Sequence, residues 1–446
     1  MNEPDSNVPA ASIPVFVEVS NTLAITYVTG LQRLTRELLA RLPGPVPGAG
    51  APVHFVPVRW CHECHGYRRL DAAEAEHLAH APPPTERARS RLARMADPLP
   101  TVVRRWAGEL VHHRAVHRLR EELARRRRQR AHPPEHADLA IGSWPTPSYF
   151  FDMEAAWHDH EPRSVLLPQL RRSGVSPVAL IADVMPELWP EWFDPAPTVK
   201  FIDFLRSHLR NSEHLVCISE CSRRDAIALA ERIGVDPLPT TSVTTMGADF
   251  TVRQAPTVPD AEVTALRYAL CVSTVEPRKN HALVLDAYDV LRDEVDDFGV
   301  VFVGKVGWKT ETLIERIRSH PDLGTRIHWF ERVDDPALDG LYEAAHCAVM
   351  PSFYEGFGLP IIEALSRGVP TLSSNGGALP EAGGDWVDYF DPASVTELVA
   401  LLRAHLDDTA YHDECRRRLA AYVAPTWADG AAMILEAFAD LVARRS

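Results

Sequence analysis

PSFYEGFGLPIIEALSRGVP, residues Pro351–Pro370, is the stretch on which the fold of this chain is read. Just ahead of it, Cys347–Met350 (CAVM) is a short apolar run suited to a buried parallel strand. Gly356 and Gly358 make a turn, and a helix can begin after Gly358. Pro360 falls in its first turn, where a missing N–H costs nothing. Gly368 and Pro370 stop the helix. Strand, glycine turn and helix in that order leave N–H groups facing the crevice above a parallel sheet, where phosphates bind readily. Glu355 falls in the turn and Glu363 about one turn inside the helix, so the two acids are set for different parts of one ligand. Read in isolation, the pair is also a first-turn acid on the helix dipole plus an acid on a solvated face. The aromatic and glycine context, SFYEGFGLP, favours the ligand.

Outward from this stretch, strand and helix patterns alternate. Strands are expected at Tyr268–Ser273, Val300–Val303, Arg326–Phe330, His346–Met350 and Thr371–Ser373. Helices are expected at Ala282–Arg292, Glu311–Ser319, Pro336–Ala345 and Pro360–Ser366. Such alternation implies a parallel sheet covered on both faces. Two strand-end loops carry chemistry. Ser273–Asn280 (STVEPRKN) places Arg278 and Lys279 after the first strand of this domain, where two cations suit a diphosphate leaving group or make a surface basic pair. Val303–Trp308 (VGKVGW) holds Gly304 and Gly307, which permit close backbone approach, and Lys305, which reaches phosphate or solvent.

These three blocks together resemble the E-x7-E signature and companion motifs of retaining glycosyltransferases of family 4, which have the GT-B fold. The resemblance is good from about Ala269 to Pro392. It is weaker at Gly30–Arg33, Asp183–Pro186 and Ile218–Asp225. It implies an α/β chain of two Rossmann-like, doubly wound parallel-sheet domains facing across a cleft. It also implies a hexosyl transfer from a nucleotide-sugar. Glu355 would hold donor-sugar hydroxyls near the reacting carbon, with Asp183, Arg278 and Lys279 completing the catalytic set. The donor would be bound by Gly30, Arg278, Lys279, Gly304, Lys305, Val333, Gly356, Phe357, Gly358, Leu359 and Glu363. Glu363 would meet the ribose, and the base would lie near Glu331–Val333. Ser374–Leu379 (SNGGAL) would line the donor sugar's pocket. One departure matters: the ring residue usual before the Asp of the family's short H-D-x-x-P loop is Ala182 here. A role assigned to that ring does not transfer, and Asp183 reads equally as a helix cap. EPRKN and GKVGW are similar to mannosyltransferase-like branches, so GDP-mannose is the indicated donor.

The first half begins with a strand, Ile13–Val19, and a helix from Gly30 with Leu31, Leu34, Leu38 and Leu42 at helical spacing. Further strands are expected at Val53–Val58, Asp138–Gly142, Val178–Ala182 and Leu215–Ile218. Ser219 is expected to cap a helix, and Val243–Asp249 reads as the last strand and turn. Domains are accordingly expected at 1–255, with an Arg-rich helical insertion at about 80–132, and at 262–425. A helix is expected over 426–446, and the family resemblance implies that it crosses back onto the first domain, with Trp427 as its anchor. Arg253–Asp260, with Pro256 and Pro259, is the linker.

With 446 residues the chain exceeds one ordinary core, and its 46% apolar and 24% charged residues are those of a soluble globular protein. A net charge of −14 argues against nucleic acid as a partner. Glu86–Arg130, however, holds fourteen Arg against five acids, a local +9. That stretch reads as solvated helices or as a basic surface for an anionic membrane or a lipid-pyrophosphate acceptor. No signal peptide or spanning run stands in the sequence, and the seven Cys form no disulfide framework. A cytoplasmic enzyme, peripheral at most to the inner membrane face, is expected. Cys61–His65 (CHECH) lacks the second ligand pair that a structural zinc site needs, so loop residues are the default there. No Asp-x-Asp occurs anywhere, so no metal-bridged diphosphate and no other cofactor is expected. A glycan or lipid-linked acceptor completes the expected partners. A sugar-nucleotide epimerase and a non-catalytic nucleotide-sugar binder on the same fold are the alternatives.

Overall fold

The computed structural model describes residues 12–24, 30–44, 52–61, 66–80, 139–140, 144–158, 161–249, 257 and 261–445. Most of CHECH, the Arg-rich stretch and nearly all of the expected linker lie outside the described residues.

Fourteen described strands form two sheets. The first contains β1 (Ile13–Glu18), β2 (Val53–Cys61), β3 (Gly66–Arg69), β4 (Leu139–Ala140), β5 (Ser148–Asp152), β6 (Val175–Ile181), β7 (His214–Cys217) and β8 (Thr240–Val243). Its order is β4-β3-β2-β1-β5-β6-β7-β8. The second contains β9 (Arg267–Val272), β10 (Phe298–Val303), β11 (Ile327–Phe330), β12 (Cys347–Met350), β13 (Thr371–Ser374) and β14 (Asp388–Phe390). Its order, β11-β10-β9-β12-β13-β14, is a doubly wound order in which neighbours on the two sides of β9 run outward in opposite directions. Every pairing in the second sheet is parallel.

Strand residues alternate between two buried faces, as a period of two requires. Val15, Val17 and Val19 enter one core of the first sheet and Phe16 the other. In the second sheet Ala269 and Cys271 face one core, Tyr268 and Leu270 the other. Both sheets are thus covered on both sides, which explains why their strands read as continuous apolar runs.

Two expectations are corrected and a third is met in part. The first sheet is not wholly parallel, since β3 and β4 add antiparallel at its edge. The segment expected at Asp138–Gly142 is represented by β4, the outermost strand. The last strand of this sheet is Thr240–Val243, ahead of the Val243–Asp249 expected. Residues beyond it meet the C-terminal helix and the segment leading into it instead: Ala248 N–H donates to Pro425 O at 3.0 Å and Thr244 Oγ1 to Gly430 O at 2.9 Å.

That helix, Trp427–Ala443, starts in a reciprocal capping box between Thr426 and Asp429. Its stripe of Trp427, Ala431, Ile434, Phe438 and Leu441 is buried in the first sheet's core, although it follows the second sheet in sequence. Phe438 sits edge-to-face with Phe55, Tyr149 and Phe151 at 5.3–5.4 Å. Truncating such a residue to Ala costs about 3–5 kcal/mol. Gly247 is required at the crossing, because a Cβ there would lie 2.2 Å from Trp427 N.

Candidate active site

In the second sheet the chain leaves β9 toward β10 and leaves β12 toward β13, on opposite sides. The crevice between the two carboxyl ends is the switch point, where open α/β sheets bind ligands. Residues 273–280 and 351–358 form its two walls. Asn280 adopts a left-handed conformation, φ +53°, from which Nδ2 donates to Pro351 O at 3.2 Å and Pro392 O at 2.8 Å. Phe353 N–H donates to Arg278 O at 2.8 Å. The walls are therefore held by side chain and backbone alike. SNGGAL supports the second wall from below. A Cβ on Gly376 would lie 2.2 Å from Phe353 O, and one on Gly377, φ +64°, 2.4 Å from Glu355 O.

Glu355, buried, receives both cations. Arg278 donates to Oε2 at 2.7 Å and Lys279 to Oε1 at 2.5 Å. Arg278 also meets buried Glu276 at 2.8 Å. Burial pushes the Glu355 carboxyl upward, but the two cations outweigh it and hold the group at about 2. Arg278 shows the same balance from the other side: burial opposes its charge, while Glu355, Glu276 and Asp183 hold it on. Glu355 is thus an ionised acceptor at any working pH and has no proton to give.

Asp183 comes from the first sheet, just past β6. Its Oδ1 accepts Met185 N–H at 2.9 Å, so it does serve a helix start. It also lies beside the switch point. A Cβ on Gly356 would stand 3.1 Å from Asp183 Cβ and 2.3 Å from Ala182 O. Burial raises its carboxyl, with Arg278 pulling the other way. Ala182, where a ring residue was noted as missing, presents its carbonyl to Ser222 Oγ–H at 2.8 Å; the same hydroxyl lies 3.2 Å from Gly356 O.

Glu363 is set apart from this group. Buried in helix Leu359–Leu365, it accepts Tyr342 O–H at 3.1 Å and Arg33 at 3.4 Å. Burial raises its carboxyl against Arg33 and Arg367. Arg33 stands one turn beyond Gly30 and also pairs with Asp335 at 3.1 Å, so the link crosses between the sheets. Gly30 faces Leu359, whose Cδ1 would lie 4.0 Å from an added Cβ. Phe357 and Leu359 pack against the first sheet's core. Further crossings are Tyr354 O–H to Asp225 and Trp308 Nε1–H to Trp192 O at 2.7 Å. Glu381 accepts Glu220 and Cys221 N–H, each at 2.7 Å.

The structure therefore brings together Glu355, Arg278, Lys279, Gly356 and Asp183. Glu363, Gly30, Phe357 and Leu359 form a second group along the cleft. Gly358, φ +131°, joins the two, because the turn it permits leads from Glu355 into the helix of Glu363. Gly304 and Gly307 accommodate this chain's own loop: a Cβ on them would meet Ser273 O at 1.9 Å and Val275 O at 2.5 Å. Lys305 is exposed, and Val333 packs against the second sheet's core. Two partners escaped the sequence reading. Glu276 lay inside the quoted EPRKN, an acid two residues before the Arg that it holds. Tyr342 had no local signal, since it meets Glu363 from another helix.

Residues 260–423 match the family described as Glycosyl transferases group 1. The serotype-specific mannosyltransferase WbdA of Escherichia coli is 28% identical over 281 residues, covering 60% of this chain and 34% of that protein. The chain thus spans about a third of the length of WbdA. The O-antigen chain mannosyltransferase B of Escherichia coli is 32% identical over 267 residues, 57% of this chain and 66% of that one. Among solved structures, Anabaena Alr3699/HepE in complex with UDP and glucose superposes with a TM-score of 0.56 at 14% identity. The match covers 97% of this chain and all of that one. The architecture is GT-B.

Proposed function

On the premise that residues 260–423 form a group 1 glycosyltransferase domain, we propose that the chain is a retaining glycosyltransferase. It moves a hexose from a nucleoside-diphosphate donor to a hydroxyl of a glycan or lipid-linked acceptor. Mannose from GDP-mannose is the favoured donor, because relatives named as mannosyltransferases match at 28–32% identity. The observation that carries the reading is the Arg278–Glu355–Lys279 contact at the switch point. An arriving diphosphate shares those two cations, and they stabilise the charge it gains as the glycosidic bond breaks. Glu355, ionised throughout, accepts hydrogen bonds from donor-sugar hydroxyls and faces the positive charge that develops on the reacting carbon. The acceptor hydroxyl attacks on the face the nucleotide leaves, and the leaving phosphate takes its proton. Glu363 accepts from the ribose, using the carboxylate that Arg33 and Tyr342 orient. The cation pair does the work that a metal does elsewhere, so metal-independent transfer is part of the proposal.

The test is a panel of nucleotide-sugars, scored for donor hydrolysis and for transfer to mannose-containing acceptors, with the product anomer read by NMR. Retained configuration from one donor supports the reading. No turnover of any nucleotide-sugar sinks it. Attachment to an anionic membrane through Glu86–Arg130 is proposed on charge alone; co-sedimentation with anionic liposomes at low salt checks it. No helix among the described residues is long and apolar enough to cross a membrane.

A further inference from the structure

Three side chains from three elements converge at the amino end of β14. Asp388 opens that strand, His405 lies near the end of helix Val395–Asp407, and Cys415 sits within helix Thr409–Leu419. A carboxylate oxygen, a ring nitrogen and Sγ of these residues all lie within 4.8 Å of one another. Asp388 Oδ2 and His405 Nε2 are 3.1 Å apart. That is close to the edge, about 3.3 Å, of a tetrahedron with bonds of about 2.0 Å. A small cavity adjoins Asp388 and Cys415, bounded also by Thr371 and Arg418.

The surroundings are those of a metal-binding histidine. His405 is fully buried, and its Nδ1 faces His412 Nδ1 at 3.1 Å. The His412 ring stacks on His346 at 3.9 Å, and His346 Nε2 lies 2.9 Å from His405 O. His412 Nδ1 is thus placed to accept the Nδ1–H of His405. Tyr411 O–H donates to Asp388 Oδ2 at 2.7 Å and orients that carboxylate. A ligating His characteristically donates its other N–H to such a partner, which fixes the tautomer.

We propose that Asp388, His405 and Cys415 bind one zinc ion or a similar borderline divalent cation, with water from the adjoining cavity as a fourth ligand. Binding removes the Cys415 thiol proton to solvent and uses the Nε2 lone pair of His405, whose proton sits on Nδ1 and is donated to His412. Asp388 is already ionised, so two anions balance the dication. The mixed oxygen, nitrogen and sulfur set suits zinc, and the thiolate disfavours magnesium and calcium. Asp388 pairs with Leu372 at the start of β13, two residues before the Ser374–Phe390 pair. The site therefore lies at the opposite end of the sheet from the cleft and fastens the edge strand to the last two helices of the domain. This role is structural and independent of the donor chemistry.

The experiment strips the full chain with chelator and titrates it with cobalt and, separately, with zinc. One cobalt per chain is expected, with a near-ultraviolet thiolate charge-transfer band and intense visible bands. Cys415→Ser should abolish the thiolate band, whereas Cys61→Ser, which alters the CHECH segment, should leave it. His412→Ala should weaken zinc binding about tenfold or more in a competition assay. Zinc should also raise the melting temperature of the wild-type chain, a readout that needs no variant. The proposal is overturned if the wild type shows no thiolate band and no zinc-dependent rise. It is equally overturned if the band survives Cys415→Ser.

Discussion

At the carboxyl ends of β1 and β5, Glu18 and Asp152 meet Arg163 and His208. At the carboxyl ends of β9 and β12, Glu276 and Glu355 meet Arg278 and Lys279. Both clusters stand at a switch point and pair carboxylates with cations, but they differ in what holds the cations. Arg163 projects from a helix, is 2% exposed, and grips Asp152 with Nε at 2.5 Å and NH2 at 3.0 Å. His208 adds a third contact to Asp152 at 2.9 Å, and Ser212 holds its other nitrogen at 2.9 Å. Arg278 and Lys279 come from a turn, remain 12–15% exposed, and Glu355 takes only one of the three donors a Lys ammonium carries. A cluster buried this deeply is closed to a ligand, while one whose cations are partly exposed can exchange partners. On the proposed reading, position in the fold marks where the donor can bind, and exposure of the cations favours the second switch point.

The first way to break this comparison is Arg163→Met, which leaves Asp152 buried without its main partner. The expected loss is about 3–5 kcal/mol of stability, measured by denaturant titration. A loss below about 1 kcal/mol would show the first cluster to be as replaceable as a surface pair. Acid sharpens the point. Against the upward push of burial, Arg163 and His208 hold Asp152 at about 2, below its ordinary 3.8, and Glu355 is held at about 2 against 4.5. Depressed carboxylates contribute stability that is present above their ordinary values and lost as pH falls toward 2. Wild-type stability should therefore fall between about pH 4.5 and 2, and Arg163→Met should show a shallower fall.

Glu355→Gln addresses the second cluster. Transfer should drop at least about a hundredfold, because the charge facing the reacting carbon is gone. Nucleotide affinity should change little, while stability falls by the share that the depressed Glu355 carboxylate contributes. Near-normal turnover would remove Glu355 from the mechanism. A smaller effect is expected at Glu363→Ala, which loses a charged hydrogen bond to the ligand and leaves transfer chemistry alone. Free nucleoside diphosphate should bind about tenfold more weakly by calorimetry. Unchanged affinity would leave Glu363 as a tie between Arg33 and Tyr342 only.

The second cluster was readable and the first was not, for a physical reason. A strand, a glycine turn and a helix lie within twenty residues, so Glu355, Gly358 and Pro360 report their geometry locally. EPRKN likewise carries its cation pair in adjacent positions. Asp152, Arg163 and His208 are separated by 11 and 45 positions, and no periodicity relates them. The same holds for Asp388, His405 and Cys415. Helix Pro195–Asn211 also escaped, because Pro195 and Pro197 look like breakers, although a first turn capped by Asp194 needs no N–H there. Strand β3 was too short and polar to stand out, so the antiparallel edge it founds was missed as well.

The smallest expected effect belongs to chelation, and it tests whether the cleft and the edge of the second sheet are separate. If Arg278 and Lys279 carry the diphosphate, removing divalent metal leaves the transfer rate within about twofold. The argument is electrostatic: two fixed cations at the switch point supply the charge that a bridged metal supplies elsewhere, and no Asp-x-Asp is present to hold one. The same chelator should lower the melting temperature if Asp388, His405 and Cys415 bind zinc. Rate and stability would then respond differently to one reagent. A rate that collapses with EDTA and returns with added metal, while the melting temperature stays fixed, would place the metal in the cleft and remove Arg278 and Lys279 from that role.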